Sequence, residues 1–128
     1  MMIRVDTASD VPIYEQLRNQ IVIGIASGEL SMGQKIPSMR KLALELGINY
    51  QTANKAYTIL AEEGYVQIDK RKGVVISNKF FKSDEYNNAL MQKMQLVAAE
   101  AICHCLSEKE FVAICTKQYQ KIIKGAGK

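Results

Sequence analysis

Three groups of residues in this chain have types and spacings that could do chemistry. The first is Cys103-His104-Cys105 with Cys115 further on, which brings the chain's single histidine together with all three of its cysteines. Thiolates and imidazole are the ligands of soft-metal sites, and exposed thiolates are the centres of redox chemistry. On a continuous helix, however, residues two apart point about 200° from one another, so Cys103 and Cys105 could not share an ion there. Packing in an apolar core is the competing reading, because free cysteine is among the most buried residue types. His104 is then a surface or interface residue. The second group is Asn49-Tyr50-Gln51-Thr52 with Asn54 and Lys55. Asn and Gln amides can bond adenine bidentately, and a lysine suits phosphate or guanine. The third is Lys70-Arg71-Lys72 ahead of Gly73, three adjacent cations that concentrate positive potential. A plain solvated helix face and a merely soluble turn are the alternatives for these last two. For catalysis there is little: no Walker-type glycine loop, no His-Glu-x-x-His run and no second histidine. The carboxylates are scattered, or adjacent as Glu62-Glu63. The expectation is no enzyme, no cofactor and no metal.

The elements that must position these groups can be read from punctuation. Six of the eight glycines and both prolines lie within residues 1–77, whereas Asn78 to Lys124 has neither. Frequent turns are therefore expected first and long helices afterwards. A first helix is predicted from Pro12, with Asp10 near its N-cap, Tyr14, Leu17, Ile21 and Ile25 on one face, and Gly28 ending it. Gly28 to Pro37 reads as a loop. A second helix runs from an N-cap at Ser38 to Gly47, with Met39, Leu42, Ala43 and Leu46 on one side. A third begins after Gly47-Ile48, with Asn49 as N-cap and Ala53, Ala56, Tyr57 and Leu60 inward; Gly64 stops it. That leaves Gln51, Lys55 and Thr58 outward and Asn54 on the flank. Tyr65 to Ile68 and Val74 to Ser77, either side of Asp69-Lys70-Arg71-Lys72-Gly73, form a hairpin signal. This order is that of a winged helix-turn-helix, in which the first turns of the third helix reach base edges.

Composition bounds the rest. A chain of 128 residues, 48% hydrophobic and 23% charged, is a folded domain or a small domain with an appendage, and too short for an enzyme with its own cofactor fold. The net charge of +4 is compatible with nucleic acid without demanding it. Nine Lys/Arg against eight Asp/Glu fall in 1–77 and eight against five in 78–128, so the excess lies mostly in the second part. No apolar run is long enough to span a membrane, no Arg-led signal precedes Met2 to Thr7, and an odd cysteine count points to a reducing cytoplasm.

Several segments carry a family resemblance. They are Pro12-Ile13-Tyr14-Glu15-Gln16-Leu17, Ile25 to Leu30, Gly33 to Ala43, Leu46 to Asn49, Thr52 to Tyr57 and Leu60 to Val66. In order and spacing they resemble the GntR family of bacterial transcription regulators over about residues 10–77. The short helical remainder resembles the YtrA-type subfamily, which lacks a large effector domain and dimerises through a small helical tail. The resemblance implies that Arg40 contacts DNA from the start of helix 2. It places Asn49, Tyr50, Gln51, Thr52 and Asn54 on the recognition helix and Lys70 to Gly73 on the wing. Tyr50 stands where many relatives have a guanine-reading arginine, Arg71 where glycine is frequent and Val74 where threonine is. A side-chain phosphate contact at Arg71 then replaces close backbone approach. The resemblance further implies a repressor of its own operon, often one encoding a transporter. Any small-molecule effector is left to act at the tail or between tail and wing domain.

The tail itself repeats apolar residues at helical steps. Leu90, Met94, Val97, Ala101 and Cys105 or Leu106 form one stripe; Phe111, Ile114, Cys115, Tyr119, Ile122 and Ile123 form another. Ser107 with Glu110 three residues later is a capping-box signal between them. Such faces are too large for a small domain to cover, so a two-fold dimer through Leu90, Met94, Val97, Phe111, Ile114 and Tyr119 is expected; an intramolecular helical hairpin is the alternative. The chain thus reads as mainly α with a small β-hairpin: a winged helix-turn-helix over 1–78 and a two-helix dimerisation tail over 79–128, with helices across 83–124. A double-stranded DNA operator is the expected partner, and a membrane is not. The competing function is a winged-helix module for protein interaction, separable by titration against duplex DNA at two salt concentrations.

Overall fold

The structure is a computed structural model that describes residues 3–77 and 80–126. It divides into two units, Met1–Lys79 with Lys124–Lys128, and Phe80–Ile123. The expected boundary between residues 78 and 79 falls on residues outside the described ones.

In the first unit, α1 spans Ile13–Ala26. It begins one residue later than expected: Pro12, at φ −55° and ψ 146°, is the N-cap itself, and no side chain caps the helix. The Pro12 carbonyl instead accepts the N–H groups of Glu15 and Gln16, and Asp10 lies outside the turn. Leu17 and Ile21 are buried, with Tyr14 and Ile25 half-buried beside them. Gln16 and Gln20, one turn apart, fasten the preceding arm. Gln16 accepts the Asp6 N–H at 2.8 Å and donates to the Asp6 carbonyl at 2.9 Å, while Gln20 accepts the Arg4 N–H at 3.0 Å.

The stretch expected to be all loop contains a two-residue strand, β1 (Lys35–Ile36). It pairs antiparallel with β3 (Gly73–Ile76), as β2 (Val66–Asp69) does on the other side, so the hairpin is a three-stranded sheet of order β1-β3-β2. Two residues are too few to show an alternation, and β1 is held by its partner strand rather than by its own propensity.

Helices α2 (Met39–Leu46) and α3 (Tyr50–Glu62) begin at the expected caps. The Ser38 hydroxyl accepts the Lys41 N–H at 3.1 Å, and the Asn49 side chain accepts the Gln51 N–H at 2.8 Å. Gly47, at φ +66°, turns the chain left-handed so that the Ile48 N–H reaches the Ala43 carbonyl. The inward face of α3 lies as expected: Ala53, Ala56, Tyr57 and Leu60 are fully buried against α1, α2 and β2. A two-point ion pair from Arg18 to Glu63, at 2.9 and 3.2 Å, ties α1 to the end of α3.

The second unit holds α4 (Asp84–Cys103) and most of α5 (Glu108–Ala126). Ser83 caps α4 through the Tyr86 N–H. The capping box before α5 is complete: Ser107 accepts from the Glu110 N–H and the Glu110 carboxylate accepts from the Ser107 N–H, at 3.1 and 3.0 Å. The Ser107 N–H, followed by the Ser107 hydroxyl, holds the Glu110 carboxyl below its usual range. Among the described residues, none of either helix is fully buried, and the two do not pack side by side as a hairpin.

Candidate nucleic-acid interface

The first turns of α3 carry most of the candidate residues. Asn49, Tyr50, Gln51 and Asn54 are exposed there, and Thr52 is half-buried. The cap uses the Asn49 carbonyl oxygen, which fixes that side chain at the helix start and leaves its NH₂ to donate outward. The Thr58 hydroxyl donates to the Asn54 side-chain oxygen at 3.3 Å and so orients the amide. An i,i+4 Asn-Thr pair on an outward face was the signal for this contact, and sequence reasoning passed over it. Because an amide oxygen has two lone pairs, Asn54 keeps the acceptor and donor that adenine requires.

Arg40, the second residue of α2, is exposed, and it meets Tyr50 at the rim of one recess formed with Ala43, Leu44, Gly47 and Ile48. The α2–α3 turn thus brings together two candidates ten positions apart. Tyr50 lies along α2, its hydroxyl donating to Met39 Sδ at 3.7 Å. Lys55 is exposed but turned toward α1, its ammonium 3.9 Å from the centre of the Tyr14 ring. This cation–π contact engages Lys55 within the protein, and spacing on α3 alone could not reveal it. Behind the site, Tyr57 donates to the Pro37 carbonyl at 2.7 Å, fixing α3 to the residue before the α2 cap. Burial pushes the Tyr57 phenol well above its usual range.

The wing turn is shaped by Asp69, whose Oδ1 accepts the N–H groups of Arg71 and Lys72 at 2.7 and 3.2 Å. Those bonds hold its carboxyl below the usual range. Lys70, Arg71 and Lys72 project from this turn, all exposed. Gly73 closes it at φ +83°, and a Cβ there would sit 3.2 Å from Lys35 Cε. The wing cations line no part of the Arg40–Tyr50 recess.

The cysteines do not form a site with His104. Helix α4 ends at Cys103, and Cys105, at φ +68°, is the left-handed residue of a C-terminal turn in which Leu106 N–H reaches the Ala101 carbonyl. The continuous helix assumed for Cys103 and Cys105 is therefore not formed. Both are exposed, and Cys115 is half-buried. Among the described residues no three His, Cys, Asp or Glu side chains are placed to hold a metal, and no helix is long and apolar enough to cross a membrane.

Three helices, a capped turn between the last two and a basic-tipped sheet define a winged helix-turn-helix protein. Residues 13–76 match the family model of the bacterial regulatory proteins of the gntR family, half of the chain, and the chain belongs to that family. It is 38% identical over 76 residues to the HTH-type transcriptional repressor YtrA of Bacillus subtilis, a match covering 59% of this chain and 58% of that one. The matched part thus spans less than two thirds of that relative. A solved structure described as a transcriptional antiterminator from Listeria monocytogenes EGD-e is similar over 96% of this chain and 93% of that one, with a TM-score of 0.88 at 28% identity. The DNA-binding domain of AraR in complex with operator ORX1 is similar over 57% of this chain and 90% of that one, with a TM-score of 0.51 at 25% identity.

Proposed function

We propose that this protein is a sequence-specific DNA-binding regulator, a cytoplasmic repressor of its own operon that binds a pseudo-palindromic operator as a homodimer. The observation that carries the reading is the outward face of α3, where Gln51 and the oriented amide of Asn54 stand exposed. Gln51 and Asn54 are assigned base discrimination; Asn49, Thr52, Arg40 and the wing from Lys70 to Gly73 are assigned mainly phosphate contacts. The positive end of the α3 dipole adds to them. Lys55 receives a smaller share, because its ammonium is already seated on Tyr14. The operator complex of AraR supports duplex DNA as the partner, and the name of YtrA supports repression.

Dimerisation is assigned to the tail. Leu90, Met94, Val97, Ile114 and Tyr119 are exposed and Phe111 is half-buried, so two apolar stripes lack a cover among the described residues. A lone winged domain offers affinity near the non-specific range of about 10⁻⁴–10⁻⁶ M. Tethering a second copy raises it by roughly 10²–10⁴, and recognition helices in successive major grooves require half-sites about 34 Å apart.

The test is a binding titration with duplex from the protein's own promoter beside random duplex, at two salt concentrations. Gln51→Ala is expected to cost about 1–3 kcal/mol on the operator and little on random DNA. Arg40→Ala should weaken both and lower the salt slope by about one. Equal losses on both duplexes for Gln51→Ala would sink the assignment. Binding that ignores both sequence and salt would favour a protein-interaction role.

A further inference from the structure

We infer that the recess between α2 and the α2–α3 turn is a thymine-methyl pocket and that Tyr50 is the residue that reads the methyl. This rests on the DNA-binding proposal above and adds the base selected beside the amide contacts. The recess, about 450 Å³, is lined by Arg40, Ala43, Leu44, Gly47, Ile48 and Tyr50. Arg40 is the one charged residue of that lining; the other side chains present carbon. Leu44 stands 83% exposed and Tyr50 45%, a large apolar investment on a face that a solvated helix would make polar. The Tyr50 hydroxyl donates its proton to Met39 Sδ, so the ring is the larger part of what position 50 brings to the recess. Gly47 carries no side chain, and a Cβ built there would meet nothing within 4 Å, so the mouth stays open to a bulky polymer.

The occupant follows from continuity with the proposed interface and from the chemistry of the major groove. Arg40 and Tyr50 belong both to the recess and to the surface assigned to DNA, so whatever fills it belongs to the duplex. Away from the Arg40 guanidinium, major-groove donors and acceptors would lose their water against the carbon of Ala43, Leu44 and Ile48 without a partner. The thymine C5-methyl is the apolar group displayed there. An arginine at position 50 would bond guanine; a tyrosine ring lining the same recess as Ile48 and Leu44 would instead favour thymine.

The experiment uses the full chain and a duplex selected from a random pool by repeated binding. That duplex is then synthesised with thymidine or with deoxyuridine throughout, which removes the methyls and leaves every hydrogen-bonding group. The native protein should bind the uridine duplex more weakly, by about fourfold for each methyl buried. Tyr50→Ala should bind the thymidine duplex more weakly and bring the ratio of the two affinities close to one. Tyr50→Phe, which keeps the ring, should keep the ratio. Leu44→Ala, on a side chain too exposed to matter for folding, should lower the ratio part of the way. A native ratio near one, or a ratio that survives Tyr50→Ala, overturns the thymine pocket while leaving selective DNA binding intact. If Leu44→Ala and Tyr50→Ala leave affinity for the selected duplex unchanged, the recess serves a partner other than DNA and the proposal is wrong. A selection that yields no preferred duplex overturns sequence-specific reading itself, and the pocket with it.

Discussion

Tyr57 shows how one side chain can fix the helix that carries the proposed base-reading residues. Its ring is fully buried in the core while its hydroxyl holds the Pro37 carbonyl, just ahead of the α2 cap. Removing the hydroxyl by Tyr57→Phe orphans that carbonyl and should cost about 1–3 kcal/mol of stability in urea denaturation. The same residue sets an alkaline limit. Its folded pKa lies above the ordinary value of 10.0, so below that value the full stabilisation is present, and it is lost as pH rises beyond, where the unfolded chain gives up its phenolic proton first. The loss of stability between pH 9 and pH 11 should therefore be smaller in Tyr57→Phe than in the native protein. Equal losses would show that other groups govern the alkaline limb.

At the scale of elements, two left-handed residues end two helices with opposite suitability. Gly47, at φ +66°, closes α2 and aims α3; nothing obstructs a Cβ there, so Gly47→Ala carries only the backbone penalty, about 1–2 kcal/mol. Cys105, at φ +68°, is the single non-glycine residue with positive φ among the described residues, and it closes α4 with the penalty already present. Cys105→Gly should relieve part of it and raise the thermal midpoint of the helical signal, whereas Gly47→Ala should lower that of the winged domain. A Cys105→Gly protein that loses helix would mean that the thiol has a contact worth more than the strain. The tight turn at Gly47 also explains why Arg40 and Tyr50 meet, although they start different helices.

The molecule as a whole poses a covering problem. The first unit has one buried apolar core spanning three helices and three strands, but the tail helices bury none of their apolar residues completely among the described residues. If a second copy supplies the cover, a charge in the seam should separate the copies without touching the winged domain. Met94→Lys or Ile114→Lys is expected to sediment as monomer at concentrations where the native chain is dimeric. It should keep the near-native circular dichroism of α1 to α3 and lose roughly 10²–10⁴ in operator affinity. A Met94→Lys, Ile114→Lys double variant that remains dimeric would place the interface elsewhere.

The chain itself determined whatever depends on neighbours in sequence. Ser38 and Asn49 announced their caps, Ser107 and Glu110 their box, and the spacing of Ala53, Ala56, Tyr57 and Leu60 announced which face of α3 turns inward, because caps and helical periods are local. The motif segments sufficed for the family as well. Contacts between elements were decided only on folding. Strand β1 exists because β3 lies beside it, Pro12 became a cap because its carbonyl found Glu15 and Gln16, and Cys105 lies outside the helix because α4 ends at Cys103, two residues short of the stripe's end at Cys105. The seat of Lys55 on Tyr14 and the recess shared by Arg40 and Tyr50 join residues far apart in the chain. Periodicity along one helix gives a side chain's direction but not what stands opposite it, and that opposing surface is supplied by tertiary packing.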